Sequence, residues 1–141
     1  MLHELHLREA LHARSGRRYL DYIVNGRSLT EWLQGGDYIP PLGWLSPERD
    51  LHFRQMLMRK EPGDLPSGQV PLFVCVQCGQ YDCGVMSVQI ARQDRNIVWS
   101  SFGMETDEAS SFRQSDGAGA LTFTFDASAY YEAFSLRSSH R

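Results

Sequence analysis

The sequence lacks the features that send a chain into a membrane or through the secretory pathway. No apolar run approaches the roughly 18 residues that a transmembrane helix needs. The first residues, Met1–His6, have neither the basic start nor the apolar stretch of a signal peptide. The three cysteines are an odd number, which argues against a closed disulfide framework. We therefore expect a cytoplasmic protein with reduced thiols.

Strong net charge and catalytic signatures are also missing. A formal net charge of −3 offers no general attraction to nucleic acid or to an anionic membrane. No Gly-x-Ser-x-Gly elbow, phosphate-binding loop or dinucleotide fingerprint occurs. The sequence thus names no catalytic residue and leaves open whether the protein is an enzyme. Its predicted partner is another protein rather than nucleic acid or a membrane.

What is present indicates one folded unit. With 141 residues, 42% of them hydrophobic and 22% charged, the chain can bury a core without disulfides or a metal. We expect a single domain over residues 1–141. A connector rich in proline and glycine, residues 61–69, allows a two-part organisation, but each half is too small to fold independently.

The N-terminal end alternates between apolar and polar residues, which predicts a β-hairpin over residues 3–24. Leu11 is one of its expected inward residues, and the acidic Glu9 falls on the same inward face. The following segment fits either a short helix over residues 28–33, with capping-box spacing, or a further strand over residues 27–33. The helix is the favoured interpretation.

Residues 35–45 combine two adjacent prolines with glycines and large apolar side chains, which excludes regular structure there. A loop of this composition usually folds back over the core. The alternative is that Tyr38 and Trp44 contact a partner, since aromatic side chains are enriched at protein interfaces. Folding back is the favoured interpretation.

A helix is predicted from Ser46 to Lys60, because Ser46 supplies a hydroxyl cap and Pro47 suits the first helical position. We expect the core to be faced by Leu51, Met58 and either Phe53 or the pair Met56 and Leu57. The remaining elements are strands over 70–75, 85–93, 97–102 and 121–125 and a C-terminal helix over 126–136. The sum is an α+β domain whose antiparallel sheet has about five or six strands in two groups, with two or three helices packed on one face.

Residues 104–120 form a long polar stretch rich in serine, glycine and acidic residues. A structureless loop of this length is uncommon in a compact domain, so we expect it to be mobile or to form a contact surface. Glu105, Asp107 and Glu108 are the candidate partner contacts within it.

All three cysteines lie close together in the sequence. The Cys75-x-x-Cys78 spacing allows two thiolates to bind one zinc ion, and Cys83 can supply a third ligand. A structural zinc site normally has a fourth ligand, for which the sequence offers His52 or His140 but no second cysteine pair. Zinc is therefore the candidate cofactor, with Cys75, Cys78 and Cys83 as its ligands.

Two other interpretations of these cysteines stay open. Cys75 and Cys78 have the spacing of a redox dithiol, but such motifs place the first thiol at the start of a helix. Here a glycine and a predicted strand follow instead. The favoured interpretation is structural, with the thiols as small, largely buried fillers at a tight turn.

The same stretch carries a resemblance. Cys78-Gly79, Cys83-Gly84 and the later Val98-Trp99-x-x-Phe102 resemble a group of small uncharacterised bacterial proteins. That group has a Cys-Gly…Cys-Gly turn followed by a Val-x-Trp-x-x-Phe hairpin. The resemblance is clearest over residues 70–134, and it implies a bacterial cytoplasmic protein without assigning an activity.

From these patterns we expect a small soluble interaction protein that neutralises or accompanies a partner protein, for example in an immunity-type role. The grounds are the acidic single domain, the missing catalytic motif and the polar stretch 104–120. The alternative is a thiol-redox or structural-zinc protein that uses Cys75, Cys78 and Cys83.

Overall fold

The computed structural model describes residues 2–33, 37–117 and 120–135. Within these ranges the strands, in chain order, are β1 (Leu5–His12), β2 (Arg17–Val24), β3 (Arg27–Ser28), β4 (Tyr38–Ile39), β5 (Val70–Cys75), β6 (Val85–Gln93), β7 (Asn96–Glu105), β8 (Arg113–Gln114) and β9 (Phe123–Asp126). The helices of the same ranges are α1 (Leu29–Leu33), α2 (Pro47–Leu57) and α3 (Ala127–Phe134), and a 3₁₀ turn covers Tyr81–Cys83.

The strands form two antiparallel sheets. The first has the order β1-β2-β3, and the second has the order β4-β5-β6-β7-β8. β9 also pairs with β7, at the end away from β8. The predicted α+β class is confirmed, and the six-stranded sheet has the expected size. Among the described residues, no helix is long and apolar enough to cross a membrane.

The N-terminal hairpin is confirmed, because β1 and β2 pair along their whole length. The predicted inward positions of Glu9 and Leu11 are wrong, since Glu9 is exposed and Leu11 is 54% exposed. The reason is that β1 is covered on different faces at its two ends. Leu5 packs against the main core, whereas Ala10, on the opposite face, packs against a second cluster. That second cluster contains Tyr19, Ile39 and Val76.

The segment after this hairpin combines the two interpretations that the sequence left open. Ser28 ends the two-residue strand β3, and the helix α1 begins at Leu29. The Ser28 hydroxyl accepts the backbone N–H of Thr30 at 3.2 Å and donates to the carboxylate of Asp21 at 2.6 Å. The favoured helix is therefore confirmed over all but its first residue.

α2 begins as predicted and ends earlier than predicted. The hydroxyl of Ser46 accepts the backbone N–H of Arg49 at 3.3 Å, which caps the first turn. The helix ends at Leu57 rather than Lys60, because Arg59 adopts a left-handed backbone conformation with φ 61°.

α2 buries Met58 as predicted, together with Phe53, Met56 and Leu57. The predicted inward position of Leu51 is wrong, since it is 39% exposed, whereas Arg54 is 2% exposed. The guanidinium of Arg54 donates to the carboxylate of Asp50 at 2.7 Å and to the carbonyl of Phe134 at 3.0 Å. Because its charge is paired and hydrogen-bonded, this arginine can be buried, which the sequence did not predict.

The second long hairpin, β6–β7, has the predicted position and continues further than predicted. β7 extends to Glu105, so the polar stretch begins within a strand, and β8 adds regular structure to a stretch expected to have none. Glu105 is 3% exposed and accepts hydrogen bonds from the hydroxyls of Ser67 and Ser87. The predicted exposed position of Glu105 is therefore wrong, and its carboxylate is not offered to a partner in this structure.

The loop before α2 also holds more structure than expected. Tyr38 and Ile39 form β4, which pairs with the end of β5, although the two prolines exclude its continuation. At the other end of the chain, the carboxylate of Asp126 accepts the backbone N–H of Ala129 at 3.0 Å and caps α3 as predicted. The predicted end of that helix, Leu136, lies outside the described residues.

One core joins residues from both sides of the 61–69 connector. At its centre the indole N–H of Trp99 donates to the hydroxyl of Tyr130 at 3.0 Å. That hydroxyl in turn donates to the backbone carbonyl of Leu57 at 2.6 Å. Tyr130 on α3 thereby connects the central strand β7 to the end of α2.

We predict that Tyr130→Phe destabilises the protein by about 1–3 kcal/mol, because it leaves a buried indole N–H and a buried carbonyl without their partner. The matched control is Tyr131→Phe, whose hydroxyl accepts only a 3.4 Å contact from Arg92 on the surface. That change should lie within about 0.5 kcal/mol of the native protein. Urea unfolding of both variants measures the difference, and equal stabilities would contradict the bridging role of Tyr130.

Candidate metal centre

The structure brings all three cysteines to one point. Cys75 ends β5, Cys78 lies in the following turn, and Cys83 is the last residue of the 3₁₀ turn before β6. Their three sulfur atoms lie within 4.8 Å of one another. Cys75 is half-buried, and Cys78 and Cys83 are exposed. We call the segment Cys75–Gly84 the cysteine turn.

Backbone amides of the cysteine turn point at its sulfur atoms. The N–H groups of Gln77 and Cys78 donate to the sulfur of Cys75, and these bonds lower the pKa of that thiol. The N–H of Gln80 donates to the sulfur of Cys78 at 3.4 Å. Gly79 permits this path, because its φ of 69° is one that other residues rarely adopt. The fold therefore favours the charged form of the Cys75 thiol before any ion arrives.

The third thiol has the opposite electrostatic character. The hydrogen bond with Cys78 is the largest influence on Cys83, followed by partial desolvation and the negative charges of Cys78, Asp82 and Cys75. Together they raise the pKa of Cys83 to about 12. The sulfurs of Cys78 and Cys83 lie 3.0 Å apart, within hydrogen-bonding distance of each other.

Hydrogen bonds to other parts of the chain hold the cysteine turn in place. Arg49 near the start of α2 donates to the carbonyl of Gly79 at 3.1 Å, and Tyr38 on β4 donates to the carbonyl of Cys83 at 3.2 Å. The hydroxyl of Tyr81 donates to the carboxylate of Asp64 at 2.9 Å. These contacts fix the backbone of the turn and leave the sulfurs at the surface.

Tyr38 and Trp44, the aromatic candidates for partner contact, both take part in contacts within the chain. A Cβ atom added at Gly84 would lie 2.9 Å from the Tyr38 hydroxyl, so this glycine makes room for the anchoring contact. The indole N–H of Trp44 donates to the carbonyl of Pro40 at 2.9 Å, and the guanidinium of Arg17 lies 4.2 Å from its ring centroid. Both aromatic side chains are half-buried, as the favoured interpretation of this loop expects.

No fourth ligand joins the cluster. Among the described residues, the three cysteines are the one group of three or more histidine, cysteine or acidic side chains close enough to hold a metal ion. The ring of His52 contacts the carboxylate of Asp64 at 3.1 Å instead of the thiols. His140 lies outside the described residues. The described part of the chain thus supplies three thiol ligands and leaves one coordination position open.

The exposure of the thiols bears on the other interpretations of the cysteines. The interpretation as largely buried fillers is wrong for Cys78 and Cys83, because both are exposed. A thioredoxin-like arrangement needs a thiol at the start of a helix, and the 3₁₀ turn has Cys83 at its end. The geometry therefore favours shared binding of an ion over either alternative.

The sequence did not predict most of the residues that surround the cysteine turn. Beside it lies a cleft of about 520 Å³ whose lining includes Arg49, His52, Asp64, Tyr81 and Asp107. Of these residues only His52 and Asp107 were singled out from the sequence. Arg49 and Tyr81 act on the turn through contacts that span the fold, and no local pattern marks them. Comparison of the chain with protein-family models, curated proteins and solved structures finds no match.

We predict that Cys78→Ala accelerates alkylation of Cys83 in the reduced, metal-free protein. The substitution removes the main influence that raises the pKa of Cys83, so at pH 8 more of this thiol is ionised. We expect a rate increase of roughly tenfold or more, since the lower nucleophilicity of a less basic thiolate offsets only part of the gain. The protein is treated with iodoacetamide and then digested, and mass spectrometry of the peptides gives the alkylation rate at each thiol.

Cys75→Ala is the matched control for this measurement. Cys75 contributes the smallest of the influences on Cys83, so its removal should change the alkylation rate of Cys83 much less. An unchanged rate at Cys83 in the Cys78→Ala variant would contradict the coupling of the two thiols.

Proposed function

We propose that the protein binds one thiophilic metal ion, with zinc as the first candidate, through Cys75, Cys78 and Cys83. The observation that carries the proposal is the convergence of three sulfur atoms within 4.8 Å on a turn whose amides point at them. Cysteine thiolates are preferred ligands of zinc and of monovalent copper. The sulfur of Cys75, whose pKa is lowered by backbone hydrogen bonds, gives the ion its first ligand.

The distances are compatible with a shared ion after a small adjustment. Sulfur ligands at about 2.3 Å from a tetrahedral zinc ion lie roughly 3.8 Å from one another. The sulfurs of Cys78 and Cys83, at 3.0 Å, therefore have to separate by about 0.8 Å. Both side chains are exposed, so rotation about their side-chain bonds supplies this movement without a change in the anchored backbone.

Among the described residues the site has an open coordination position, which distinguishes it from a closed structural zinc centre. Structural zinc sites have four protein ligands, whereas three protein ligands and one exchangeable ligand are typical of sites that bind a further molecule. In the present site water, or a donor atom from another molecule, completes the tetrahedron. The proposed function is therefore metal binding with an accessible ion.

We expect the reduced protein to bind zinc in a one-to-one ratio, measured by native mass spectrometry and by titration against a chelating dye. Cys75→Ser, Cys78→Ser and Cys83→Ser should each lower the affinity at least tenfold, because loss of even an indirect partner of a ligand costs about 10–100-fold. The affinity should also fall as the pH is lowered, since protons compete with the ion for the thiolates.

Asp82→Asn is the matched control for these variants. Asp82 lies between two of the cysteines and is exposed, but it does not belong to the cluster of possible ligands. Its replacement should leave the one-to-one ratio intact. A native protein that takes up no zinc, or three serine variants that bind it as well as the native protein does, would overturn the proposal.

An interaction with a basic partner protein, including an immunity-type role, is a second proposal with its own supporting observation. Asp107 and Glu108 are exposed, and Asp107 lines the cleft beside the cysteine turn together with Asp64 and Asp82. Exposed carboxylates of this kind suit contact with a basic surface. The second proposal does not require a metal.

Charge reversal tests this second proposal. The Asp107→Lys/Glu108→Lys double variant should lose a stoichiometric basic partner that the native protein captures from extract, with the loss increasing at low ionic strength. Glu61→Lys, another exposed acid outside the cleft, serves as the control. Equal capture by the double variant and the control would contradict a role for these two acids.

A further inference from the structure

The distance between the sulfurs of Cys78 and Cys83 is intermediate between the distances of two mutually exclusive arrangements. At 3.0 Å they are about 0.8 Å closer together than thiolates around one zinc ion and about 1 Å further apart than the atoms of a disulfide. Both are exposed and therefore within reach of small solutes. Cys75 is half-buried, and its sulfur accepts hydrogen bonds from two backbone amides and lies within hydrogen-bonding distance of the exposed pair.

We propose that Cys78 and Cys83 form a redox switch: a hydroperoxide oxidises them to a disulfide, and the bound metal ion is released. This inference rests on the proposed metal-binding function, whose regulation it specifies. The proposal is based on the 3.0 Å separation of two exposed sulfurs, whose backbone is held by hydrogen bonds on both sides of them.

The chemistry balances with hydrogen peroxide as the oxidant. The sulfur of Cys78, as thiolate, attacks one peroxide oxygen; the O–O bond breaks, and hydroxide leaves, so Cys78 becomes a sulfenic acid. The thiolate of Cys83 then attacks that sulfur and expels the oxygen as a second hydroxide. Two metal-bound thiolates and one peroxide thus give one disulfide and two hydroxide ions, which take up protons from the solvent, and the metal ion is set free.

The hydrogen bonds that anchor the cysteine turn allow the disulfide to form without movement of the surrounding backbone. Arg49 holds the carbonyl of Gly79, and Tyr38 holds the carbonyl of Cys83, so the backbone on both sides of the pair stays in place. Only the two exposed side chains have to move. Disulfide formation removes two of the three metal ligands at once, and a single remaining thiolate at Cys75 does not retain the ion.

The test uses the reduced, zinc-loaded native chain and one equivalent of hydrogen peroxide. Zinc release is followed with a chromogenic dye, and disulfide formation is followed as the loss of two hydrogens from the intact mass. Chymotryptic cleavage after Tyr81 separates Cys83 from the other two cysteines, so a bridge to Cys83 links two peptides. We expect one zinc ion released per bridge formed, and reuptake of zinc after reduction with a phosphine.

Variants identify the partner of Cys83. Metal-free Cys75→Ser should still form the cross-link between the two peptides, whereas Cys78→Ser should not. A bridge between Cys75 and Cys78, oxidation to sulfinic acid without a bridge, or zinc retained by the bridged protein would overturn the switch.

The failure of the switch and the failure of the proposed function give different results. If the reduced native protein takes up no zinc, the metal-binding function fails, and the switch, which releases that ion, fails with it. If the reduced protein binds zinc but peroxide yields no link between Cys78 and Cys83, only the switch fails.

Discussion

The hydroxyl group of Tyr130 is the point at which the layers of this protein are joined. It accepts the indole N–H of Trp99 on β7 and donates to the carbonyl of Leu57 at the end of α2. All three residues are buried, where water cannot replace a missing partner. One side chain on α3 therefore fixes the central strand and α2 relative to each other, and the position of the cysteine turn depends on that frame.

The cysteine turn is attached to this frame from several directions. β5 and β6 pair with each other and deliver its two ends, while α2 supplies Arg49 and β4 supplies Tyr38. The result is an anchored backbone that carries two exposed thiols, Cys78 and Cys83, and one half-buried thiol, Cys75. Such a combination suits an ion that is held by all three and remains accessible, because the fold brings the ligands together before the ion binds.

Local patterns predicted what local interactions decide. Alternation and turn residues placed the two long hairpins, and the cysteine spacing identified the three side chains that meet. What failed depends on contacts between distant parts of the chain. Arg54 turns inward because its guanidinium reaches Phe134, 80 residues away, and Glu105 is buried because Ser67, 38 residues away, donates to it. The anchor from Tyr38 to the cysteine turn crosses 45 residues, and no short motif records it.

In the proposed site, one chain provides three sulfur ligands to one metal ion. Zinc X-ray absorption spectroscopy of the reduced, zinc-loaded protein counts the atoms bound to the metal and identifies them by type. We expect three sulfur neighbours at about 2.3 Å and one oxygen or nitrogen neighbour at about 2.0–2.2 Å. A shell of oxygen and nitrogen alone, or a shell of four sulfurs, would contradict the proposed site.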